Sequence, residues 1–307
     1  MLYDLTIIGG GPAGSAAAVY AARKRIRTAL ITKDFGGQSV VSPDIQNWIG
    51  TVSISGNDLA KSFKEHVEAY ADDVLTIHEG NNVNAITKSD NGHFTITAGD
   101  QTFESRAVLV ATGSDRRKLT VPGAAEYEHK GLTYCATCDG PLFAGQDVAV
   151  IGGGNAGFET AAQLLAYAKS VTLLQRSDTY RADQITVDKV LAHENMTGIT
   201  NAEILGVVGE QFVTGLRYKD GDGNEHTLPV TGIFVEIGLI PTTEFVKDLV
   251  DLDNYGRIVI DPWTQQASCP GVWAAGDCTT VKYHQNNIAA GDAVKALEDI
   301  YMWLTHN

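Results

Sequence analysis

An α/β fold built from two similar parallel-sheet units is what this sequence predicts, on three observations. Gly9-Gly10-Gly11-Pro12-Ala13-Gly14 follows the apolar run Leu5-Thr6-Ile7-Ile8 and opens an alanine-rich stretch, residues 13–25, that is polar only at its end. Gly152-Gly153-Gly154-Asn155-Ala156-Gly157 sits in the same way between an apolar run at 147–151 and a helical stretch at 158–168. Each helical stretch then leads into a second apolar run, at 28–32 and at 171–174. Strand, glycine turn, helix and strand in that order make a parallel crossover unit.

Both turns fit G-x-G-x-x-G. In that pattern the first glycine permits the tight turn and the second lets backbone approach a pyrophosphate. The third packs helix on strand, and the helix N-terminus faces the phosphates. Gly9, Gly11, Pro12, Ala13 and Gly14 are thus expected at one dinucleotide, and Gly152, Gly154, Asn155, Ala156 and Gly157 at another. The fold class is therefore α/β with two Rossmann-like dinucleotide-binding domains. A ribose-binding acid belongs about twenty residues past the first loop, where Thr32, Lys33 and Asp34 stand with Asp34 as the candidate. Gly36-Gly37-Gln38 follows, and a glycine pair there lets backbone run close to a flat ring. After the second loop the strand ends at Leu174 and gives Gln175, Arg176, Ser177 and Arg181. A carboxylate at that place favours a free 2′-hydroxyl and NADH; cations favour a 2′-phosphate and NADPH. Arginine presents a planar fork of donors to phosphate.

The remaining elements fill in around these units. Residues 54–70 read as a partly exposed helix entered at Ser55-Gly56-Asn57. Residues 74–98 and 101–112 are short and rich in β-branched side chains, as in strands. Breaks at 116–123 and 238–243 read as linkers. The tail has a strand at 271–275, then Gly276-Asp277, then a helix from 286 to about 304.

The 307 residues are 44% apolar and 20% charged, enough for two globular domains. A net charge of −14 argues against nucleic acid or an anionic membrane as the main partner, since both need a basic surface. Strand sequence begins at Leu2, which leaves no room for a signal peptide, and no apolar run is long enough to span a bilayer. The expectation is a cytoplasmic protein. Four cysteines are too few for a disulfide framework in a chain this long.

Cys135-Ala136-Thr137-Cys138-Asp139-Gly140 lies between the two glycine loops. Zinc needs four ligands. Cys269 and Cys278 are more than a hundred residues away and nine apart, and no spaced histidines flank the pair, so no metal is expected. A redox dithiol is. Two dinucleotides with a dithiol between them describe a relay: one delivers electrons, one stores them, and the cysteines pass them to a disulfide. Asp139 beside the pair can carry a proton in thiolate–disulfide exchange, or cap the following helix. Cys269 and Cys278 read as packing residues.

With these motifs in place the chain resembles the low-molecular-weight thioredoxin reductases, and also the reductase core of the alkyl hydroperoxide reductase flavoprotein subunit. The resemblance is densest over residues 133–188 and 271–304. It implies FAD on the first loop and NAD(P)H on the second. It adds Gly37, Gln38, Asn47, Thr112, Gly113, Gly276 and Asp277 as flavin contacts, with Asp277 on the ribityl chain. His284, Gln285 and Asn286 would begin a helix aimed at the flavin ring. It implies a discontinuous FAD domain, residues 1–115 and 245–307, around an inserted NAD(P)H and dithiol domain, residues 116–244. It further implies a homodimer, Cys138 facing the flavin, Cys135 attacking a partner disulfide, and a thioredoxin-like protein as that partner. Thioredoxin reductases usually show His-Arg-Arg-x-x-x-Arg after the second unit. Here Gln175-Arg176-Ser177 and Arg181 keep two of the three arginines, so NADPH is favoured with NADH as the alternative. The peroxide-reductase relatives carry an acid where Gln175 stands, together with an N-terminal dithiol extension not seen here. A separate dithiol carrier is expected in consequence. The competing readings are an NADH-dependent reductase of a peroxiredoxin system, a ferredoxin-linked flavin enzyme, and a non-enzymatic flavin redox sensor.

Overall fold

The computed structural model describes residues 1–42, 45–134 and 136–306, without the side chains of Val41, Thr137 and Cys138. Cys135 and the Cys138 side chain thus lie outside the described residues. The chain divides into two compact units, residues 1–115 with 240–307, and residues 116–239. The second crossing falls at Leu239/Ile240, a few residues ahead of the expected 244/245.

The first unit is layered on a sheet with the order β3-β2-β1-β6. Here β1 is Leu2–Gly10, β2 Thr28–Phe35, β3 Leu75–Glu79, β4 Val83–Lys88, β5 Phe94–Ala98 and β6 Gln101–Val110. The region expected as strands over 74–98 thus resolves into three. The ten-residue β6 lies parallel to β1 along one edge. Its other edge is shared: β5 pairs antiparallel with its first half and Val272–Ala274 parallel with its last residues. Central β1 is buried on both faces, which is why it reads as an unbroken apolar run. Leu5 and Ile7 face one core with Leu30, Leu109 and Trp273, while Ile8 faces the other with Ile31, Val108 and Val110.

Helix α1, Pro12–Arg23, covers the first face with small residues: Ala13, Ala17, Ala18, Ala21 and Ala22 are buried. Small side chains let α1 lie close to both the sheet and the C-terminal helix Asn286–His306, which buries Ala289, Ala293, Ala296, Leu297 and Ile300. α1 ends two residues before the expected Arg25. Arg25 takes the left-handed conformation at φ +58°, and Ile26 N–H reaches back to the Ala21 carbonyl at 3.1 Å. That is a Schellman-type stop. α2, Gly56–Ala71, starts where Ser55 Oγ accepts from Asp58 N–H at 3.1 Å, an N-cap at the entry the sequence indicated. Buried Trp273 satisfies its indole N–H on Asp299 Oδ2 at 2.9 Å and packs edge-on to Trp303.

The second unit repeats the plan. Its parallel sheet has the order Met196–Ile199, Ser170–Leu174, Asp147–Ile151, Gly232–Val235, Leu132–Thr133. Helix Asn155–Leu164 begins right after Gly154, three residues earlier than expected. It ends at Leu164, where the chain turns through Ala166 N–H to Gln163 O at 3.2 Å and Tyr167 N–H to Leu164 O at 3.1 Å. A separate antiparallel meander, Glu203–Gly209, Val213–Lys219 and Glu225–Leu228, was not foreshadowed in the sequence. No helix among the described residues is long and apolar enough to cross a membrane.

Candidate active site

The two glycine loops are geometric copies. Gly9 and Gly152 sit at φ +112° and +121°, and a Cβ on them would meet the carbonyl oxygens of Ala111 at 2.3 Å and Glu236 at 2.1 Å. A Cβ on Gly14 or Gly157 would lie 1.7 or 1.8 Å from the carbonyl oxygen of Gly9 or Gly152. The first and third glycines of each loop are therefore demanded by the protein's own backbone. The middle ones are not. Beside Gly11 the nearest atom to a Cβ would be Gly37 Cα at 3.8 Å, and beside Gly154 there is nothing within 4 Å. Both have ordinary negative φ, −71° and −93°. Each precedes a helix whose first turn has no side-chain cap and no acidic residue. Open space beside a glycine, facing uncapped helix N–H groups, is what a pyrophosphate needs.

In the first unit this space belongs to a cleft of about 630 Å³. Gly9, Gly11, Pro12, Ala13, Gly37, Gln38, Thr112, Gly113, Gly276, Asp277, His284, Gln285 and Asn286 all line it. Gly14 packs behind the loop, and Asn47 lines an adjoining depression with Ser39 and Asn286. There Asn47 Nδ2 donates to Gln285 Oε1 at 3.0 Å, and its carbonyl accepts from Asn287 Nδ2 at 2.7 Å. Asn47 so braces the start of the C-terminal helix. Thr112 Oγ1 is spent on the Thr242 carbonyl at 2.6 Å, and Gln38 Nε2 on Ser114, its Oγ at 3.1 Å.

Asp277 differs from these. Its carboxylate has no hydrogen-bond donor among the described residues, while burial pushes its pKa up and the nearby His284 opposes that. A half-buried acceptor with no protein donor fits a ligand hydroxyl. The cleft also takes Asp34, on the exposed end of β2, and the Asn81-Asn82 turn, which Asn81 N–H ties to the Thr32 carbonyl at 3.2 Å. The turn was missed in the sequence; its Gly80-Asn81-Asn82 composition marks a turn but not its place beside β2. Lined by a glycine loop and by an acceptor without a protein donor, the cleft fits FAD.

In the second unit Gln175 is buried, and its amide is fully engaged. Its Oε1 accepts from Gly153 N–H at 3.1 Å, and its Nε2 donates to Ser177 Oγ at 2.7 Å and the Thr179 carbonyl at 3.1 Å. Ser177 in turn donates to the Thr179 carbonyl at 3.1 Å. The Ser177 hydroxyl proton expected for a 2′-phosphate is therefore used within the loop. Arg181 N–H holds the Gly153 carbonyl at 2.7 Å. The Arg176 and Arg181 side chains are exposed and form no ion pair among the described residues. Asn155 Oδ1 accepts from Asp183 N–H at 2.8 Å, so this side chain fastens the next helix, Gln184–Leu191.

The dithiol segment follows the edge strand Leu132–Thr133 in the same unit, and residues Ala136–Asp139 form a single helical turn. The Asp139 carboxylate makes no capping hydrogen bond to the short 3-10 turn Gly140–Phe143 that follows it. It accepts from Thr133 Oγ1, which holds it beside the motif. Cys278 is fully buried with its thiol pushed up to about 11 by desolvation, as an inert packing cysteine should be. Cys269 is half-buried and free.

The family described as pyridine nucleotide-disulphide oxidoreductase matches residues 3–293. The chain is 43% identical over 296 residues to an alkyl hydroperoxide reductase subunit of Escherichia coli (strain K12), covering 96% of this chain but 57% of that one. It thus spans little more than half the length of that relative. Among solved structures it resembles T. acidophilum thioredoxin reductase, with TM-score 0.84, 39% identity and 98% of each chain covered. Lactococcus lactis thioredoxin reductase in its FR conformation gives TM-score 0.87 and 32% identity, covering 99% of this chain and 100% of that one. With its duplicated glycine loops and a Cys-x-x-Cys between them, the chain belongs to the pyridine nucleotide-disulphide oxidoreductase family.

Proposed function

We propose that this chain is an FAD-dependent disulfide reductase that passes electrons from NADPH to a thioredoxin-like protein through Cys135 and Cys138. The observation that carries the reading is the pair of loops whose middle glycines, Gly11 and Gly154, face open space, with Cys-x-x-Cys between them in the chain. Bound FAD would supply a carrier that accepts two electrons from a nicotinamide and yields them to a disulfide. The α1 N-terminus and the loop amides would hold its pyrophosphate, and Asp277 would receive one of its hydroxyls. The N-terminus of helix Asn286–His306 opens on the same cleft and favours negative charge there. In the exchange step the Cys135 thiolate attacks the partner's disulfide to give a mixed disulfide. Cys138 then displaces the partner as a dithiol and re-forms the Cys135–Cys138 bond. Asp139, anchored by Thr133, delivers the proton to the departing thiolate. A peroxide-reducing partner is the second reading, favoured by the 43% identity to the alkyl hydroperoxide reductase subunit. Heating the purified yellow protein and identifying the released cofactor by chromatography tests the FAD assignment; FMN, or a colourless folded protein, would refute it.

The second loop supports NADPH as the donor. Gln175 places no carboxylate against a 2′-phosphate, and Arg176 and Arg181 are exposed cations with no ion pair among the described residues. With Ser177 occupied, two contacts remain, which supports a modest preference for NADPH. Arg176→Ala should raise the apparent KM for NADPH about tenfold, the weight of one charge-assisted hydrogen bond at an exposed site. The KM for NADH should stay unchanged. Steady-state kinetics with both nucleotides checks it, and an equal change for the two would remove Arg176 from the phosphate site.

A further inference from the structure

Glu236 directly follows strand Gly232–Val235, whose neighbour Asp147–Ile151 runs into the second glycine loop. Between these two strands the sheet order reverses: Ser170–Leu174 and Met196–Ile199 lie to one side, Gly232–Val235 to the other. In open α/β sheets the crevice outside the strand C-termini at such a reversal is where ligands bind. Glu236 forms part of its wall. Its N–H donates to the Ile151 carbonyl at 2.8 Å, and its own carbonyl crowds Gly152. A dinucleotide with its pyrophosphate on the loop and its adenosine toward Gln175 and Arg181 would extend its nicotinamide end to the Glu236 side.

The side chain there is held but half-used. Glu236 is only 12% exposed. Its Oε1 accepts from Thr160 Oγ1 at 2.9 Å and from Arg116 at 3.3 Å. Arg116 is fixed in turn on the Tyr134 carbonyl. Both hydrogen bonds fall on Oε1, and Oε2 has no donor among the described residues. Burial pushes the carboxyl pKa up, with Glu159 acting the same way and Arg116 and Thr160 opposing. The side chain is thus largely buried while its second oxygen stays open and without a protein donor, so that a ligand donor can reach it.

We propose that Glu236 is a nucleotide-orienting residue whose Oε2 accepts the carboxamide N–H at the nicotinamide end. The inference rests on the reading that this unit binds NAD(P)H. The carboxamide is common to NADPH and NADH, so the effect is independent of the 2′-phosphate and separable from that of Arg176.

Calorimetric titration of the FAD-loaded protein tests it with three probes: NADP⁺, its 3-acetylpyridine analogue, which has a methyl ketone and no amide donor, and adenosine 2′,5′-bisphosphate. Glu236→Ala should weaken NADP⁺ binding about tenfold or more. The analogue and the bisphosphate should bind as they do to the unchanged protein. Where alanine fails to fold, Glu236→Gln keeps an acceptor for Thr160 and Arg116. It should cut the preference for NADP⁺ over the analogue by about threefold, the difference between a charged and a neutral acceptor. Equal losses for NADP⁺ and the analogue, or no loss for either, would overturn the assignment. If the unchanged protein binds none of the three, the nucleotide reading itself fails, and the inference with it.

Discussion

Cys138→Ser should leave a yellow protein whose colour is still bleached by the nucleotide, while reduction of a protein disulfide falls by about three orders of magnitude or more. The loss is large because the nucleophile in exchange is a thiolate. A serine hydroxyl neither ionises near neutral pH nor forms a disulfide. Cys135→Ser should show the same loss for a different reason. Cys138 is then a lone thiol: no disulfide accepts electrons from the flavin and no Cys135 attacks the partner, while the Cys138 thiolate should give a long-wavelength absorption band against the flavin. Disulfide reduction followed with a thioredoxin as acceptor measures both variants, and spectra of the isolated proteins record the band. Wild-type turnover in either variant would show that the relay has been assigned to the wrong residues.

Gly14→Ala and Gly11→Ala should fail in opposite ways, although the residues are neighbours in one loop. A Cβ on Gly14 lies 1.7 Å from the Gly9 carbonyl oxygen, so helix α1 must move away from the turn. Overpacking of this kind costs about 3 kcal/mol, and the variant should show a lower unfolding midpoint even without cofactor. A Cβ on Gly11 meets no protein atom closer than 3.8 Å, at a φ any residue tolerates. Gly11→Ala should therefore fold with near-normal stability as the apoprotein and lose FAD on gel filtration. Denaturant unfolding of the apoproteins and flavin content after purification separate the two. A destabilised Gly11→Ala with full flavin would mean that the space beside Gly11 serves packing.

The glycine loops were legible in the sequence because part of their requirement is local: Gly9 and Gly152 take positive φ, and Gly14 and Gly157 pack on the carbonyl of the turn five residues earlier. The entry of α2 at Ser55-Gly56-Asn57 and the alanine-rich run of α1 were legible because composition alone marks them. What was not legible depends on partners brought together from afar. Strand Leu132–Thr133 has two residues, too few for any periodicity to show. The meander over 203–228 alternates weakly and carries Gly206 and Gly209, so it does not read as strands. Ser177 and Asn155 have the right chemistry for a nucleotide, yet the Ser177 hydroxyl proton goes to Thr179 and Asn155 Oδ1 accepts from Asp183. Glu236 stood unnoticed because its environment comes from Arg116 and Thr160, each more than seventy residues away in the chain.

The relay itself is tested most directly by anaerobic titration of the FAD-loaded protein with NADPH, followed through the flavin absorbance. A flavin in line with a Cys135–Cys138 disulfide should take up two electron pairs per chain, one for each centre. Subsequent addition of an oxidised thioredoxin should restore the yellow colour. Complete bleaching by a single equivalent, with no return of colour on adding the protein disulfide, would contradict a dithiol between flavin and acceptor.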